Sequence, residues 1–318
     1  MIVKSSDYAL EIRKLEALER RLPDYHPNID YIRRALSRKK AGMEGEQEIH
    51  YPLSLLDENK YYILHNLRLA DQNGYFQMDT LLLNEKFILI LEVKNWQGKI
   101  IFGENGQVIR EYQNQEEGFP NPISQAKTQQ YRLQRWLYRS GITPLPPIEY
   151  FVVLISSSTI LKTSSPDVKI SNKIIYNHDL FNKILEIDQT FVSAQRMKEV
   201  QNVAEKLKQS HVPLKENILE QYGFHISDLI KGVFCPKCHF NPMVRRKKKW
   251  FCERCKYLST DAHVEALDDY SLLVGSKITN REARDFLQIE SPHVTRRLLK
   301  RGLIFTGNTK ARTYLLSP

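Results

Sequence analysis

Two carboxylates and an ammonium group come close together on a predicted β-hairpin. Asp79 lies in the predicted strand of residues 77–83, and Glu92 and Lys94 stand at the end of the next, residues 87–93. Strand side chains alternate with period two, so Glu92 and Lys94 share a face, and a short turn puts Asp79 opposite them. Close carboxylates repel unless a cation joins them, so a divalent metal is the expected occupant. A lysine beside it can orient water or stabilise charge developing on a phosphate.

The alternative is an edge hairpin with a surface glutamate and lysine, because short Glu-x-Lys strings are common. The apolar run of residues 87–91 favours the metal site, since Glu92 and Lys94 end a strand that reads as buried. Functional groups often stand at such ends, where packing fixes the strand and the loops face solvent.

The four cysteines form two Cys-x-x-Cys pairs, Cys235 with Cys238 and Cys252 with Cys255. Each pair fits a turn that points two thiolates at one Zn²⁺, and two such turns complete a closed tetrahedral site. Without an open ligand position, this zinc is expected to be structural rather than catalytic. An iron site and redox-active pairs are the alternatives, and the spacing of the two pairs disfavours both.

A basic run stands between the two cysteine pairs and is followed directly by Trp250 and Phe251. Five successive cations beside aromatic residues suit a surface that binds a nucleic-acid backbone. A solvated hairpin is the alternative interpretation. The five residues are Arg245, Arg246, Lys247, Lys248 and Lys249.

The positive charge of the chain is concentrated near the C-terminus. Residues 231–318 contain 18 lysines and arginines against eight aspartates and glutamates, which equals the whole net charge of +10. Such asymmetry predicts a polyanionic partner, most simply nucleic acid.

The C-terminal segment resembles a winged helix-turn-helix. Thr279 is predicted to cap one helix, and Ser291 followed by a proline opens the next. On that second helix, Thr295, Arg296 and Lys300 are expected to point outward, as a recognition helix requires.

Two short apolar segments, residues 303–305 and 313–316, would form the wing, joined through Gly307 and Asn308. Such modules also mediate protein contacts, so a protein partner is the alternative to DNA.

The elements that position Asp79 and Glu92 are predicted in the order helix, three strands, helix and strand. Strands are predicted at residues 61–67, 77–83, 87–93, 99–102, 150–155 and 173–176, with a long amphipathic helix at 124–139. This order is typical of an α/β sandwich with a mixed central sheet.

The region from about Gly42 to Ile155 resembles a NERD (nuclease-related) domain in five spaced elements. The elements are Gly42-x-x-Gly45-Glu46, Gln77-Met78-Asp79, Glu92-Val93-Lys94-Asn95, Gly98 and Asn121-Pro122-x-x-Gln125. The resemblance implies the restriction-endonuclease-like fold of the PD-(D/E)xK nucleases, with phosphodiester cleavage that depends on Mg²⁺ or Mn²⁺.

The resemblance also implies roles for single residues. Asp79 and Glu92 would be metal ligands, Lys94 the catalytic lysine, Glu46 a helix carboxylate near the metal, and Gln125 a helix residue that approaches the site from the far side. The chain departs from the family at two positions, because Thr80 and Gln129 stand where the family often has histidine.

The predicted architecture is therefore a restriction-endonuclease-like α/β sandwich with a small Cys₄ zinc ribbon and a winged helix-turn-helix. The expected segments are an N-terminal helical part (1–40), the nuclease-like domain (41–190), a helical connector (191–230), the ribbon (231–260) and the winged helix (261–318).

The protein is expected to be a Mg²⁺-dependent nuclease that acts on DNA in the cytoplasm. No membrane partner is expected. No apolar run approaches a membrane span, and no signal peptide or glycine-rich nucleotide loop is present. A non-catalytic DNA-binding or regulatory protein and a nuclease acting on RNA are the alternatives.

Overall fold

The computed structural model describes the chain apart from residues 7, 105, 214–216, 301–302, 308–311 and 317–318, and of Glu46 it describes the backbone alone. The chain divides into two compact units. The first contains residues 1–9 and 39–214, and the second contains residues 10–38 and 215–318. In the described residues, no helix is both long enough and apolar enough to span a bilayer.

The helices are α1 (Tyr8–Arg21), α2 (Ile29–Glu48), α3 (His50–Ser54), α4 (Pro122–Arg139), α5 (Leu180–Thr190), α6 (Val200–Gln209), α7 (Ile218–Gln221), α8 (His263–Leu273), α9 (Asn280–Leu287) and α10 (Pro292–Leu299). The strands are β1 (Ile2–Lys4), β2 (Tyr62–Asp71), β3 (Gly74–Leu83), β4 (Ile88–Lys94), β5 (Lys99–Phe102), β6 (Val108–Tyr112), β7 (Gln115–Phe119), β8 (Ile148–Leu154), β9 (Ile160–Thr163), β10 (Ile174–Tyr176), β11 (Val244–Arg246), β12 (Lys249–Phe251), β13 (Leu258–Ser259), β14 (Lys277–Thr279), β15 (Ile304–Thr306) and β16 (Thr313–Leu315).

The first unit is built on a six-stranded mixed sheet in the order β1-β2-β3-β4-β8-β10. Strands β2, β3 and β4 run antiparallel, whereas β4, β8 and β10 run parallel. Along β4, Ile88 and Ile90 pack with α4 and α6, while Leu89 and Leu91 pack with α3 and α5. Both faces of β4 are therefore covered, which explains its continuous apolar sequence. The predicted mixed α/β fold is confirmed and is consistent with a nuclease-like α/β architecture.

A second sheet of the first unit follows β4 in the chain and has the order β7-β6-β5-β9. The sequence predicts β5 alone among these strands. Strand β7 is largely exposed and polar, so it carries no apolar alternation that could identify it. Trp96, Ile100 and Phe102 form a small core beneath the sheet with Val108 and Leu154.

Helix α2 crosses the boundary that the sequence analysis places between the N-terminal helical part (1–40) and the nuclease-like domain (41–190). The structure has one continuous helix across these positions. The basic run at residues 38–40 contains no proline and no helix-terminating glycine, so nothing in it stops the helix.

The predicted helical connector of residues 191–230 is divided between the two units. Helix α6 packs into the core of the first unit, where Val203, Ala204 and Leu207 lie among buried residues of the central sheet. Residues from 215 onward belong to the second unit.

Helix α1 supplies the second unit with a buried arginine. The Nε of Arg21 pairs with Asp269 of α8 at 2.8 Å, and both side chains are 1% exposed. The same guanidinium donates to the carbonyls of Ile230 and Gly232, at 3.0 and 2.8 Å. These contacts tie residues 10–38 to the C-terminal part of the chain, across more than 200 positions of sequence.

Candidate functional site

Asp79 of β3 and Val93 of β4 are hydrogen-bonded to each other. They lie just beyond Thr80 and Leu91, the last two residues that face each other across these strands. The backbone N–H of Val93 donates to Oδ2 of Asp79 at 2.9 Å. Asp79 therefore lies beside Glu92, as the sequence predicts from the alternation of the hairpin.

Glu92 is a buried carboxylate, 1% exposed, with a donor on each oxygen. Lys94 Nζ lies 2.6 Å from Oε1, and Gln129 Nε2 donates to Oε2 at 2.9 Å. Burying a charge is costly unless it is paired and hydrogen-bonded, and these two donors meet that condition. The ammonium of Lys94 is held at the partly exposed end of the strand.

Helix α4 brings two glutamines to this end of β4. Asn121 caps the helix by accepting from the N–H of Ile123, with Pro122 in the first turn. Residues four apart lie on one face of a helix, so Gln125 and Gln129 both face the site. Lys94 Nζ lies 3.4 Å from Oε1 of Gln125, which brings this predicted residue to the lysine.

The amide of Gln129 is oriented by two acceptors. Its Nε2 donates to the carbonyl of Gln77 and to Glu92, at 2.9 Å each, which points Oε1 away from both. This Oε1 is buried and has no hydrogen-bond partner among the described residues. An unpartnered buried acceptor beside a carboxylate suits a donor such as a water bound to a cation.

Helix α2 approaches the segment after β4 closely. A side chain at Gly45 would place its Cβ 2.9 Å from that of Asn95, so glycine is required there. Asn95 Nδ2 donates to the carbonyl of Ala41 at 3.0 Å. Glu46 follows this contact on α2, and its side chain lies outside the described residues, so its predicted role stays a prediction.

The donor set fits a hard divalent cation. Asp79 and Glu92 offer carboxylate oxygens, which Mg²⁺ and Mn²⁺ prefer, and Gln129 adds an unpartnered acceptor for a bound water. Among the described residues, the one group of three or more His, Cys, Asp or Glu with metal-ligand spacing is the cysteine cluster. A cation held by Asp79 and Glu92 would therefore need water or phosphate oxygens to complete its coordination.

His65 of β2 forms a polar contact with Thr80, the residue that follows Asp79 on β3. Its Nδ1 lies 2.9 Å from Oγ1 of Thr80, and its ring stacks on that of His50 with centroids 4.8 Å apart. Burial lowers the pKa of His65 to about 4, with further lowering by His50 and Lys4. The imidazole is therefore neutral at pH 7. Thr80, which stands where the family often has histidine, takes part in this contact.

The four cysteines of the second unit converge on one point. The sulfurs of Cys235 and Cys255 lie 3.6 Å apart, as do those of Cys238 and Cys252, and all four lie within 4.8 Å of one another. A tetrahedral zinc with Zn–S bonds of about 2.3 Å separates its sulfurs by about 3.8 Å. The cluster fits a zinc ribbon and could hold zinc.

The turns that carry the cysteines are built alike. The backbone carbonyl of Cys235 accepts from the N–H of His239 at 2.8 Å, and the backbone carbonyl of Cys252 accepts from that of Lys256 at 2.9 Å. His239 and Lys256 both have a positive φ, 56° and 63°. This repetition explains why the two Cys-x-x-Cys pairs present their sulfurs in the same way.

The basic run between the cysteines is divided between two faces of a hairpin. Arg245 stands opposite Trp250, and Arg246 stands opposite Lys249, so these pairs point to opposite faces. Arg246 is paired with Glu253 at 2.7 Å, and Lys247 and Lys248 form the turn with positive φ. The five predicted residues thus do not form one surface.

Helices α9 and α10 begin as the sequence predicts. Thr279 and Glu282 form a capping box, and Ser291 accepts from the N–H of Val294. Arg296 and Lys300 are exposed, in agreement with the prediction. Thr295 was expected to point outward and is fully buried, with its hydroxyl donating to the carbonyl of Ser291.

Strands β15 and β16 lie where the wing is predicted, and Gly307 follows β15. Asn308 of the predicted joint lies outside the described residues.

Comparison with known proteins identifies the region around Asp79 and Glu92. Residues 41–155 match the family described as the nuclease-related domain, NERD. No curated protein and no solved structure has a significant match to the chain. The resemblance stated from the sequence is therefore confirmed over residues 41–155, which match the nuclease-related domain family.

Proposed function

We propose that the protein is a metal-dependent DNA nuclease. The observation that carries the proposal is the buried Glu92, paired with Lys94 beside Asp79, within a nuclease-related domain. A non-catalytic binder has no need for a buried carboxylate and an ammonium at the solvent end of a strand. Nucleic acid is the substrate class that the domain implies, and the concentrated positive charge of residues 231–318 supports the same class.

In the proposed site, Asp79 and Glu92 would hold Mg²⁺ or Mn²⁺. When bound, the cation would supply Lewis-acid polarisation of a phosphate oxygen and would lower the pKa of a bound water. Lys94 stabilises negative charge that develops on the phosphate, and its position is set by Glu92 and Gln125. Gln129 orients the carboxylate of Glu92. Glu46 is proposed as a further carboxylate near the metal.

The second unit is proposed to bind DNA. The order α8-β14-α9-α10-β15-β16, with β14, β16 and β15 in one sheet, supports the winged helix-turn-helix interpretation. The four cysteines are proposed to bind a structural Zn²⁺. The proposed DNA contacts are Arg245, Arg246, Lys247, Lys248, Lys249, Arg296 and Lys300.

One assay tests the proposed function. The purified full chain is incubated with supercoiled DNA, linear duplex DNA, single-stranded DNA and RNA, each with Mg²⁺, Mn²⁺ or neither. The proposal expects cleavage of DNA only when Mg²⁺ or Mn²⁺ is present. Cleavage of RNA alone would show that the substrate is RNA rather than DNA. Binding of DNA without cleavage under every condition would favour a regulatory DNA-binding protein.

A further inference from the structure

A groove of about 760 Å³ lies within the second unit, between the β11–β12 hairpin and helix α10. One wall is the hairpin from Pro242 to Trp250, and the other is the turn after α9 together with one side of α10. Residues of both the cysteine-rich region and the helical region thus line the same concave surface, although the sequence assigns them to separate modules.

The groove is strongly basic. Its lining contains five cationic side chains and one carboxylate, that of Glu290. Four of the cations have exposed side chains, so they can reach an occupant. This imbalance is complementary to a chain of phosphates. The cations are Arg245, Lys247, Lys248, Arg297 and Lys300.

The same groove has apolar walls and a planar cation. Val244 of the hairpin and Val294 of α10 line it. The guanidinium of Arg245 lies over the ring of Trp250, 5.1 Å from its centroid. Arginine planes and apolar side chains accept the faces of unstacked bases. A single strand offers such faces together with its phosphates, whereas a duplex keeps its base faces within the stack.

The size of the groove also favours one strand. Its volume falls in the range of about 300–1,000 Å³ that is usual for small-ligand pockets. The groove is too small to enclose a duplex, whose major groove alone is about 12 Å wide and itself receives a helix. We propose that this groove binds a short stretch of single-stranded DNA. The choice of DNA over RNA rests on the proposed function.

The arrangement of α10 separates two surfaces. Arg297 and Lys300 line the groove, whereas Arg296 does not. Substitutions in the groove therefore alter capture of a single strand and leave Arg296 in place for contacts with a duplex.

Two triple variants of the full chain test the proposal. The groove variant carries Lys247→Gln, Lys248→Gln and Arg297→Gln. The control variant carries Lys237→Gln, Arg254→Gln and Arg281→Gln, which remove the same charge from exposed positions of the same unit that do not line the groove. Circular dichroism and zinc content verify that both variants fold.

Fluorescence anisotropy measures binding of an oligothymidylate of about 12 nucleotides, a length within the usual site sizes. A duplex and an oligouridylate of equal length are measured beside it, all without Mg²⁺ or Mn²⁺. The groove variant should bind the oligothymidylate at least about tenfold more weakly, and its salt slope should fall by about 2, or about 0.7 for each lost contact. The control variant should change its affinity for the oligothymidylate by no more than about twofold. The groove variant should lose clearly less affinity for the duplex than for the oligothymidylate.

Equal weakening by the two variants would overturn the groove as the binding site, because dispersed charge would then explain the affinity. If the groove variant lost more affinity for the duplex than for the oligothymidylate, the groove would not be a site for single-stranded DNA. Tighter binding of the oligouridylate than of the oligothymidylate would likewise contradict DNA as the bound strand. No cleavage occurs under these conditions, so failure here is distinct from failure of the nuclease assay. Photo-crosslinking of a thymine analogue should map to residues 242–250 and 288–300, and crosslinks confined to other residues would also overturn the proposal.

Discussion

Asp79, Glu92 and Lys94 could be predicted as neighbours from residue type and strand alternation alone, because a hairpin relates them locally. Gln129 could not be assigned its contact in this way. Its approach to Glu92 depends on the rotation of α4 against the central sheet, which tertiary packing decides. The sequence signal was limited to a departure from the family, which often has a histidine at this position. A glutamine amide can donate one hydrogen bond to Glu92 in its place.

Gln129→Leu should weaken binding of Mn²⁺ at the Asp79–Glu92 site by about 10- to 100-fold, the usual cost of losing a group that orients a metal ligand. Gln129→His should recover most of the affinity, because the imidazole can donate to Glu92. Isothermal titration calorimetry measures this with Gln134→Leu as control, since Gln134 is exposed on the same helix. Equal affinity in wild type and Gln129→Leu would contradict the orienting role.

His65 makes the stability of the first unit depend on pH. Because burial lowers its pKa to about 4, the folded state resists protonation while the unfolded chain takes up a proton near pH 6.5. The stabilisation is complete above about pH 6.5 and is lost as the pH falls toward 4. Between about pH 7.5 and about pH 5, the free energy of unfolding of the first unit should fall by about 2 kcal/mol more in wild type than in His65→Gln.

Hydrogen exchange of the β2 and β3 amides, corrected for intrinsic rates, measures this loss for the first unit alone. Equal losses in wild type and His65→Gln would mean that the histidine is not buried in its neutral form.

Among the elements, long apolar strands were the most predictable. Strands β4 and β8 carry apolar runs because both of their faces are covered, so their sequences identify them. Strand β7 could not be predicted, since it is held by pairing with β6 rather than by an apolar face. Helix α2 shows a related effect, because its two ends belong to different units and local sequence does not reveal this.

The cysteine-rich element should depend on metal for its fold. Purified protein is expected to contain about one zinc per chain, matching one Cys₄ site. Cys252→Ser should release the zinc and increase hydrogen exchange in β11, β12 and β13, because metal binding and folding are coupled in a small module. Lys237→Ala, which alters an exposed residue between the first two cysteines, should leave zinc content unchanged. A zinc-free wild type with full protection would contradict the zinc assignment.

For the whole molecule, the sequence predicted separate modules in chain order, and the structure groups residues 10–38 with 215–318. The physical reason is the buried Arg21. Its charge is compensated by Asp269 and by backbone carbonyls that lie far along the chain. Helical periodicity cannot reveal such a partner. A fragment of residues 231–318 therefore lacks part of its own unit, and binding experiments require the full chain.

Asp269→Asn should destabilise the second unit by about 3–5 kcal/mol, because it leaves the buried Arg21 without its counter-charge. The neighbouring Asp268→Asn is the matched control. Asp268 pairs with Arg13 on the surface, where an ion pair contributes about 0–1 kcal/mol. Hydrogen exchange of the amides in α8 and α9 measures the stability of the second unit in each variant. Similar small effects of both substitutions would show that the Arg21 pair does not hold this unit together.

The most direct test of the account is the rate of DNA cleavage by the double variant Asp79→Asn/Glu92→Gln. Both substitutions keep the size of the side chain and remove the charge that is proposed to hold the metal. With Mg²⁺ present, the rate should fall by more than about 10²-fold, the scale for removing a charge-stabilising group at a reacting centre. DNA affinity should stay within about twofold, and Glu85→Gln, an exposed glutamate of the same hairpin, should cleave like wild type. Undiminished cleavage by the double variant would contradict the assignment of the site.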